Sequence, residues 1–372
     1  MESAPLFAEI ADSPDGGEAW WLTADDGVRI RVGAWAREAA RGTVLLFPGR
    51  TEYIEKYGRT AAHLAKRGYA TMAIDWRGQG LADRLVSDVM AGHVLSFSDY
   101  QRDVAAMVAA AKALDLPKPW HLLAHSMGGC IGLRSVMNGL PVASCGFSAP
   151  MWGIQMSQTL RPVAWSLSWG GRQFGMGHRV APGTSPESYV LIEPFATNKL
   201  TNDPEMYQFM IDQTIAQPAL GLGGPSLRWL YEALRECRDL SRLPSPEMPC
   251  MTFLGSEEQI VDVPRIRDRM DRWTGGTLEM IEGGKHELLM DSADIRGPVM
   301  DSYCDMFDRA GENRVDRAAP AAAGGPARKS PASSRHRRSG SGLAFFPFLP
   351  LGAFRSRSRR RDAETSFPSD NI

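Results

Sequence analysis

Short apolar runs alternate with stretches of helical spacing along most of the chain. After a loose start, residues 19–22 and 27–34 are rich in β-formers and flank the turn Ala24-Asp25-Asp26-Gly27, which predicts a hairpin. Residues 43–47 are continuously apolar and stop at Pro48-Gly49; residues 53–67 then place apolar side chains at helical spacing, and residues 69–74 form a second apolar run. Residues 97–114 predict a helix, 120–124 a strand, 127–139 a helix and 142–147 a strand. Fully apolar strands joined by helices belong to a mostly parallel sheet with helices on both faces.

The alternation stops after Pro150 and resumes with a strand at 249–254, a helix at 263–273, a strand at 277–281 and a last helix around 288–307. Residues 1–150 and 244–312 therefore read as two parts of one core, with 151–243 inserted between two strands as a helical cap. From residue 313 to 372 Ala, Pro, Gly, Ser and Arg dominate, a composition that cannot build a core and is expected to be disordered. Within it residues 343–354 are apolar, interrupted by proline and flanked by arginines. That segment is too short to span a bilayer; contact with a membrane surface is its functional reading and an unstructured extension its simpler one.

Composition adds boundaries. The chain has 372 residues, 43% hydrophobic and 23% charged, as befits a globular protein with one large core. Its net charge of −1 hides an asymmetry, because residues 313–372 hold 12 of the 42 Lys and Arg but only 4 of the 43 Asp and Glu. The tail is basic and the body acidic, so the body offers no face for nucleic acid. The cysteines (Cys130, Cys145, Cys237, Cys250, Cys304) are odd in number and lack metal-ligand spacing, which points to a reducing compartment. The N-terminus is acidic, without the basic and apolar regions of a signal peptide, and no run of 18 apolar residues occurs. A cytoplasmic protein, free or attached to a membrane surface, is expected.

The chemistry starts at His121-Leu122-Leu123-Ala124-His125-Ser126-Met127-Gly128-Gly129, a serine between strand and helix with small residues two before and two after it. This is the setting of a nucleophile elbow, in which a strained turn exposes the hydroxyl and small neighbours permit close backbone approach. A serine needs a base, normally a histidine oriented by a carboxylate, and in elbow-bearing hydrolases the chain order is nucleophile, acid, histidine. His63, His93, His121 and His125 precede Ser126, and His336 lies in the tail. His178 has no acid between it and Ser126, since Asp and Glu are absent from 127–177. His286 remains, in Glu282-Gly283-Gly284-Lys285-His286-Glu287 after the last strand. Beyond the strand at 249–254, Glu258 is the preferred acid. Asp262 is the alternative, with helix N-cap as its structural role, and Glu257 reads as a solvated loop residue. Backbone N–H groups of Met127 and Arg50 would form the oxyanion hole. The chemistry calls for no cofactor or metal. Asp75-Trp76-Arg77-Gly78-Gln79-Gly80 lacks phosphate-cradling spacing and is expected to shape the top of the sheet.

Together these segments resemble the bacterial lysophospholipase and monoacylglycerol lipase branch of the α/β-hydrolases, often labelled serine aminopeptidase-like. The resemblance runs from about Val44 to Phe307. It is strongest in PGRTEYIEKY and DWRGQGLADR and is supported by AHSMGG and GGKHELLM. It implies the α/β-hydrolase fold, a Ser126, Glu258 and His286 triad with donors at Arg50 and Met127, and a small lipid or ester substrate. Two departures stand out: Ala124 replaces the usual elbow glycine, and Glu258 stands where Asp is commoner. In the cap Met151, Trp152, Met156, Leu160, Trp165, Trp169, Met206, Met210 and Trp229 can line a groove for an acyl chain, though about half of such residues should pack the cap onto the core. Arg161 and Arg172 are candidates for meeting a phosphate headgroup. A peptidase, an acyltransferase and a binding module without turnover are the alternatives.

Overall fold

The computed structural model describes residues 1–318; the expected tail beyond that point, with its apolar segment at 343–354, lies outside the described residues. The first half comprises β1 (Glu2–Ala4), α1 (Ala8–Ala11), β2 (Glu18–Thr23), β3 (Arg29–Trp35), β4 (Gly42–Phe47), α2 (Gly58–Lys66), β5 (Tyr69–Asp75), α3 (Tyr100–Ala113), β6 (Trp120–His125), α4 (Met127–Met137) and β7 (Cys145–Ser148). Four helices follow without a strand between them: α5 (Leu160–Gln173), α6 (Tyr189–Ile192), α7 (Pro204–Ala216) and α8 (Leu227–Ser241). The chain then returns to the sheet with β8 (Cys250–Gly255), α9 (Val263–Asp271), β9 (Gly276–Ile281) and α10 (Ala293–Ala318).

Among the described residues the strands form one sheet in the order β1-β2-β3-β5-β4-β6-β7-β8-β9, antiparallel from β1 to β5 and parallel from β5 onward. The alternation of side chains across a strand explains why both faces are covered. Leu45 and Phe47 of β4 join a core with Met107 of α3, Ile131 of α4 and Ile266 of α9. Val44 and Leu46 join one with Leu64 of α2 and Tyr303 of α10. All five cysteines are buried and free. No helix among the described residues is long and apolar enough to cross a membrane.

Three elements depart from the sequence reading. The start is not loose: β1 pairs with β2, and Arg31 donates to the Pro5 carbonyl at 2.9 Å, an attachment that a three-residue strand does not announce by periodicity. The strand expected at 142–147 begins only at Cys145. The last helix continues to Ala318, past the expected start of the tail at residue 313.

Register decides where the loops emerge. Phe47 pairs with Ala124, His125 with Ser148, and Ser148 with Phe253. The chain therefore leaves β4, β6, β7 and β8 at nearby levels of one sheet edge, where α/β sheets bind their ligands.

Candidate active site

Ser126 occupies the turn between β6 and α4 at φ 50° and ψ −117°, a backbone conformation that L-residues rarely adopt. Its N–H donates to Ser148 at 3.1 Å, and its carbonyl accepts from Met151 at 2.8 Å and Gly129 at 2.9 Å. Gly128 makes the turn sterically feasible, since a Cβ there would stand 2.0 Å from the Phe47 carbonyl oxygen and 2.5 Å from that of Pro48. The N-terminus of α4 thus packs directly on the turn after β4. That turn is itself held: Trp76 donates to the Pro48 carbonyl at 2.9 Å and Gln79 to the Gly49 carbonyl at 2.7 Å. The glycine-rich loop after β5 shapes this edge as its sequence suggested.

His286 and Glu258 come from adjacent loops stitched together by backbone. Glu257 N–H donates to Gly284 at 2.9 Å and Ser256 N–H to Ile281 at 2.9 Å. His286 Nδ1 lies 2.7 Å from Glu258 Oε2, both side chains being buried. The other Glu258 oxygen accepts from the N–H groups of Ile260 at 2.5 Å and Val261 at 3.1 Å. Burial pushes the Glu258 carboxyl up, but the adjacent imidazole and these two N–H groups outweigh it and hold the carboxyl below its ordinary value. An ionised carboxylate only accepts, so Nδ1 carries the proton of this hydrogen bond and Nε2 is the ring nitrogen turned away from Glu258.

Asp262 caps α9 by accepting from Arg265 N–H at 3.3 Å, and it pairs with Arg161 at 2.7 Å. The alternative acid is thus engaged away from His286, and Arg161, offered for a headgroup, is neutralised. Arg172 lies 5.3 Å over the Tyr231 ring. Glu257 is exposed, as expected.

The sequence reading missed a buried ion cluster behind these loops. Lys56 donates to Glu52 and Glu287, each at 2.7 Å, and Tyr57 donates to Glu52 at 2.6 Å. Glu52 also accepts from Gly49 N–H, which ties it to the turn after β4. His125 turns below the site, with Nδ1 3.0 Å from the Ser148 carbonyl and Nε2 3.4 Å from Glu287. Burial alone would raise the Glu287 carboxyl, but Lys56 and His125 hold it well below the usual carboxylate range. The one available signal was the i, i+4 spacing of Glu52 and Lys56; Glu287 enters only through tertiary contact.

Ser126 and His286 line one cavity of about 720 Å³, together with Arg50 and side chains of the inserted helices. Met151, Met156, Leu160, Met210 and Trp229 line it. Trp152 instead stacks near Trp273, Trp165 packs edge-on to Tyr231, Met206 joins the core and Trp169 is exposed.

Residues 38–293 match the family described as Serine aminopeptidase, S33. Lysophospholipase L2 of Escherichia coli strain K12 is 29% identical over 301 residues, covering 77% of this chain and 86% of that protein. A probable lysophospholipase L2 of Haemophilus influenzae is 28% identical over 267 residues, covering 71% and 83%. A soluble variant of monoglyceride lipase from Saccharomyces cerevisiae, solved with a substrate analog, has the same fold with a TM-score of 0.65 at 17% identity, covering 80% of this chain and 98% of that one. With an elbow serine between β6 and α4 and a family match across most of the body, the chain belongs to the Serine aminopeptidase, S33, family and is a serine hydrolase of the α/β-hydrolase fold.

Proposed function

We propose that the protein hydrolyses the acyl ester of lysophospholipids, with monoacylglycerols as neutral counterparts, through a Ser126, His286 and Glu258 triad. The observation that carries this reading is the hydrogen bond from His286 Nδ1 to Glu258, with His286 and Ser126 lining one largely apolar cavity. Ser126 Oγ attacks the ester carbonyl while His286 Nε2 takes its proton, and Glu258 stabilises the imidazolium. The N–H groups of Met127 and Arg50 receive the oxyanion. Collapse breaks the bond to the alcohol oxygen, which receives the proton from His286. Water, deprotonated by His286, then cleaves the acyl-enzyme and releases the fatty acid. The cavity volume falls within the range of small-molecule sites, and Ile154, Met156, Leu160, Val163 and Leu167 offer an acyl chain a flexible apolar wall.

Leu160, Val163 and Leu167 lie on one face of α5, line the cavity and are exposed, and Trp169 and Phe174 elsewhere on the same segment are exposed as well. These exposed apolar side chains are the proposed point of contact with a lipid surface.

Ser126→Ala and His286→Ala should each lower kcat on a lysophospholipid and on a p-nitrophenyl ester by at least about 10⁴-fold in folded protein. Turnover retained by either variant rules the triad out. Cleavage of an aminoacyl amide in preference to both esters would move the reading to a peptidase.

A further inference from the structure

The cavity contains a cation that no carboxylate closes. Arg50 lines it from the turn after β4, and its Nη1 donates to the Gly223 carbonyl at 2.8 Å. The guanidinium carbon stands 5.7 Å over the Trp229 ring. A guanidinium carries five N–H donors, and Gly223 takes one. Of the other Lys and Arg side chains on this cavity's wall, Lys56 is closed by Glu52 and Glu287 and Lys199 is exposed to solvent; elsewhere in the body Arg31 pairs with Asp75 and Glu55 and Arg77 with Asp26 and Asp103, while Arg84 is held by backbone carbonyls. Both arginines that the sequence offered for a headgroup are engaged elsewhere, Arg161 with Asp262 and Arg172 with Tyr231. Burial without a countercharge lowers Arg50 to about 10, an environment short of negative charge yet still protonated at neutral pH. Such a charge in an apolar wall is costly unless an anion completes it.

We propose that the Arg50 guanidinium is the subsite for the phosphate of a lysophospholipid headgroup, and that it sets the preference for phosphorylated over neutral monoacyl esters. This deepens the proposed function and rests on Ser126 as the acyl acceptor. The placement suits the chemistry. The backbone N–H of Arg50 is the proposed second oxyanion donor, and its side chain lines the same cavity as Ser126. A guanidinium matches two phosphate oxygens with paired donors, which an ammonium does not. Trp229 and Gly223 hold the fork, and Ile154 and Leu160 on the same cavity wall are left to an acyl chain. Phosphate could come from a lipid headgroup or from the free ion, and the test separates them.

The full-length enzyme, Arg50→Gln and Arg50→Lys are assayed on a lysophospholipid and a monoacylglycerol of the same chain length in the same mixed micelles. The ratio of the two kcat/KM values should fall at least tenfold in Arg50→Gln, mainly through KM for the phospholipid, and recover in part in Arg50→Lys. Equal losses on both substrates would make Arg50 a tether between the inserted segment and the core, and would overturn the proposal. Inorganic phosphate is then tested as a competitor of a neutral ester. Competition that Arg50→Gln weakens supports the anion site and extends it to the free ion; a shifted ratio without competition confines the site to the headgroup. If the wild-type enzyme cleaves neither lipid, both readings fall. If it cleaves them with a ratio indifferent to Arg50, the phosphate subsite alone is lost.

Discussion

Glu258 and Asp262 lie four residues apart, and local sequence ranked them without separating their roles. Their partners differ: His286 for Glu258, Arg161 and the first turn of α9 for Asp262. Glu258→Gln should keep the fold and lower kcat by about 10²–10⁴-fold, because an amide cannot hold the imidazolium and invites the wrong tautomer. Asp262→Asn should cost at most about 1 kcal/mol, the value of a partly exposed ion pair, since Asn still caps a helix. Kinetics and urea unfolding of both variants check this, and a larger loss of kcat in Asp262→Asn would reverse the assignment. Ser126 and His286 were legible because a turn motif and an ordering rule are local or one-dimensional signals. Glu52, Lys56 and Glu287 were not, since Lys56 and Glu287 are 231 positions apart and meet only in the folded chain.

At the level of elements, the site is a junction of loops whose spacing is set by glycine and by buried charge. Gly128→Ala would drive a methyl into two carbonyl groups of the turn after β4, so that α4 or that turn must shift. A shift of that kind misplaces the proposed oxyanion donors, and kcat should drop about 10²-fold or more with KM less affected; wild-type kcat would show that the turn has slack. The ion cluster gives a pH signature. A carboxyl held low in the folded state adds stability above its unfolded pKa of about 4.3, and this is lost as pH falls through the folded value. Glu287 is such a group. Wild-type stability should therefore decline below about pH 4.3, and Glu287→Gln, less stable at neutral pH by about 3–5 kcal/mol, should decline less steeply. Urea midpoints from pH 3 to pH 7 measure it, and parallel curves would count against the role of Glu287. The strands of the parallel sheet were legible as apolar runs, whereas β1 was not: three residues carry no period, and their place depends on the edge offered by β2.

For the whole molecule, the exposed apolar side chains on and after α5 are the feature that meets the environment. Phe174 is 77% exposed and Leu160 60%, exposures that bulk water disfavours. Sedimentation with phosphatidylcholine vesicles should recover the protein, and Trp169→Ser with Phe174→Ser should weaken partition several-fold while leaving turnover of a soluble p-nitrophenyl ester intact. Undiminished vesicle binding would place the lipid contact elsewhere. The order of elements could be read in advance because it reflects changes of hydrophobic period; which side chains between β7 and β8 face the cavity could not, because Met and Trp serve lining and packing equally well. The insertion leaves after β7 and re-enters at β8, yet those two strands pair directly, Ser148 against Phe253. A closed pair of strands is indifferent to the length of chain looped out between its ends, since loop entropy grows only slowly with length. The chain between β7 and β8 can therefore vary in length without parting the two strands. Selection can rewrite what is bound while the reacting groups keep their register, provided the replacement still presents a carbonyl to Arg50 where Gly223 now does.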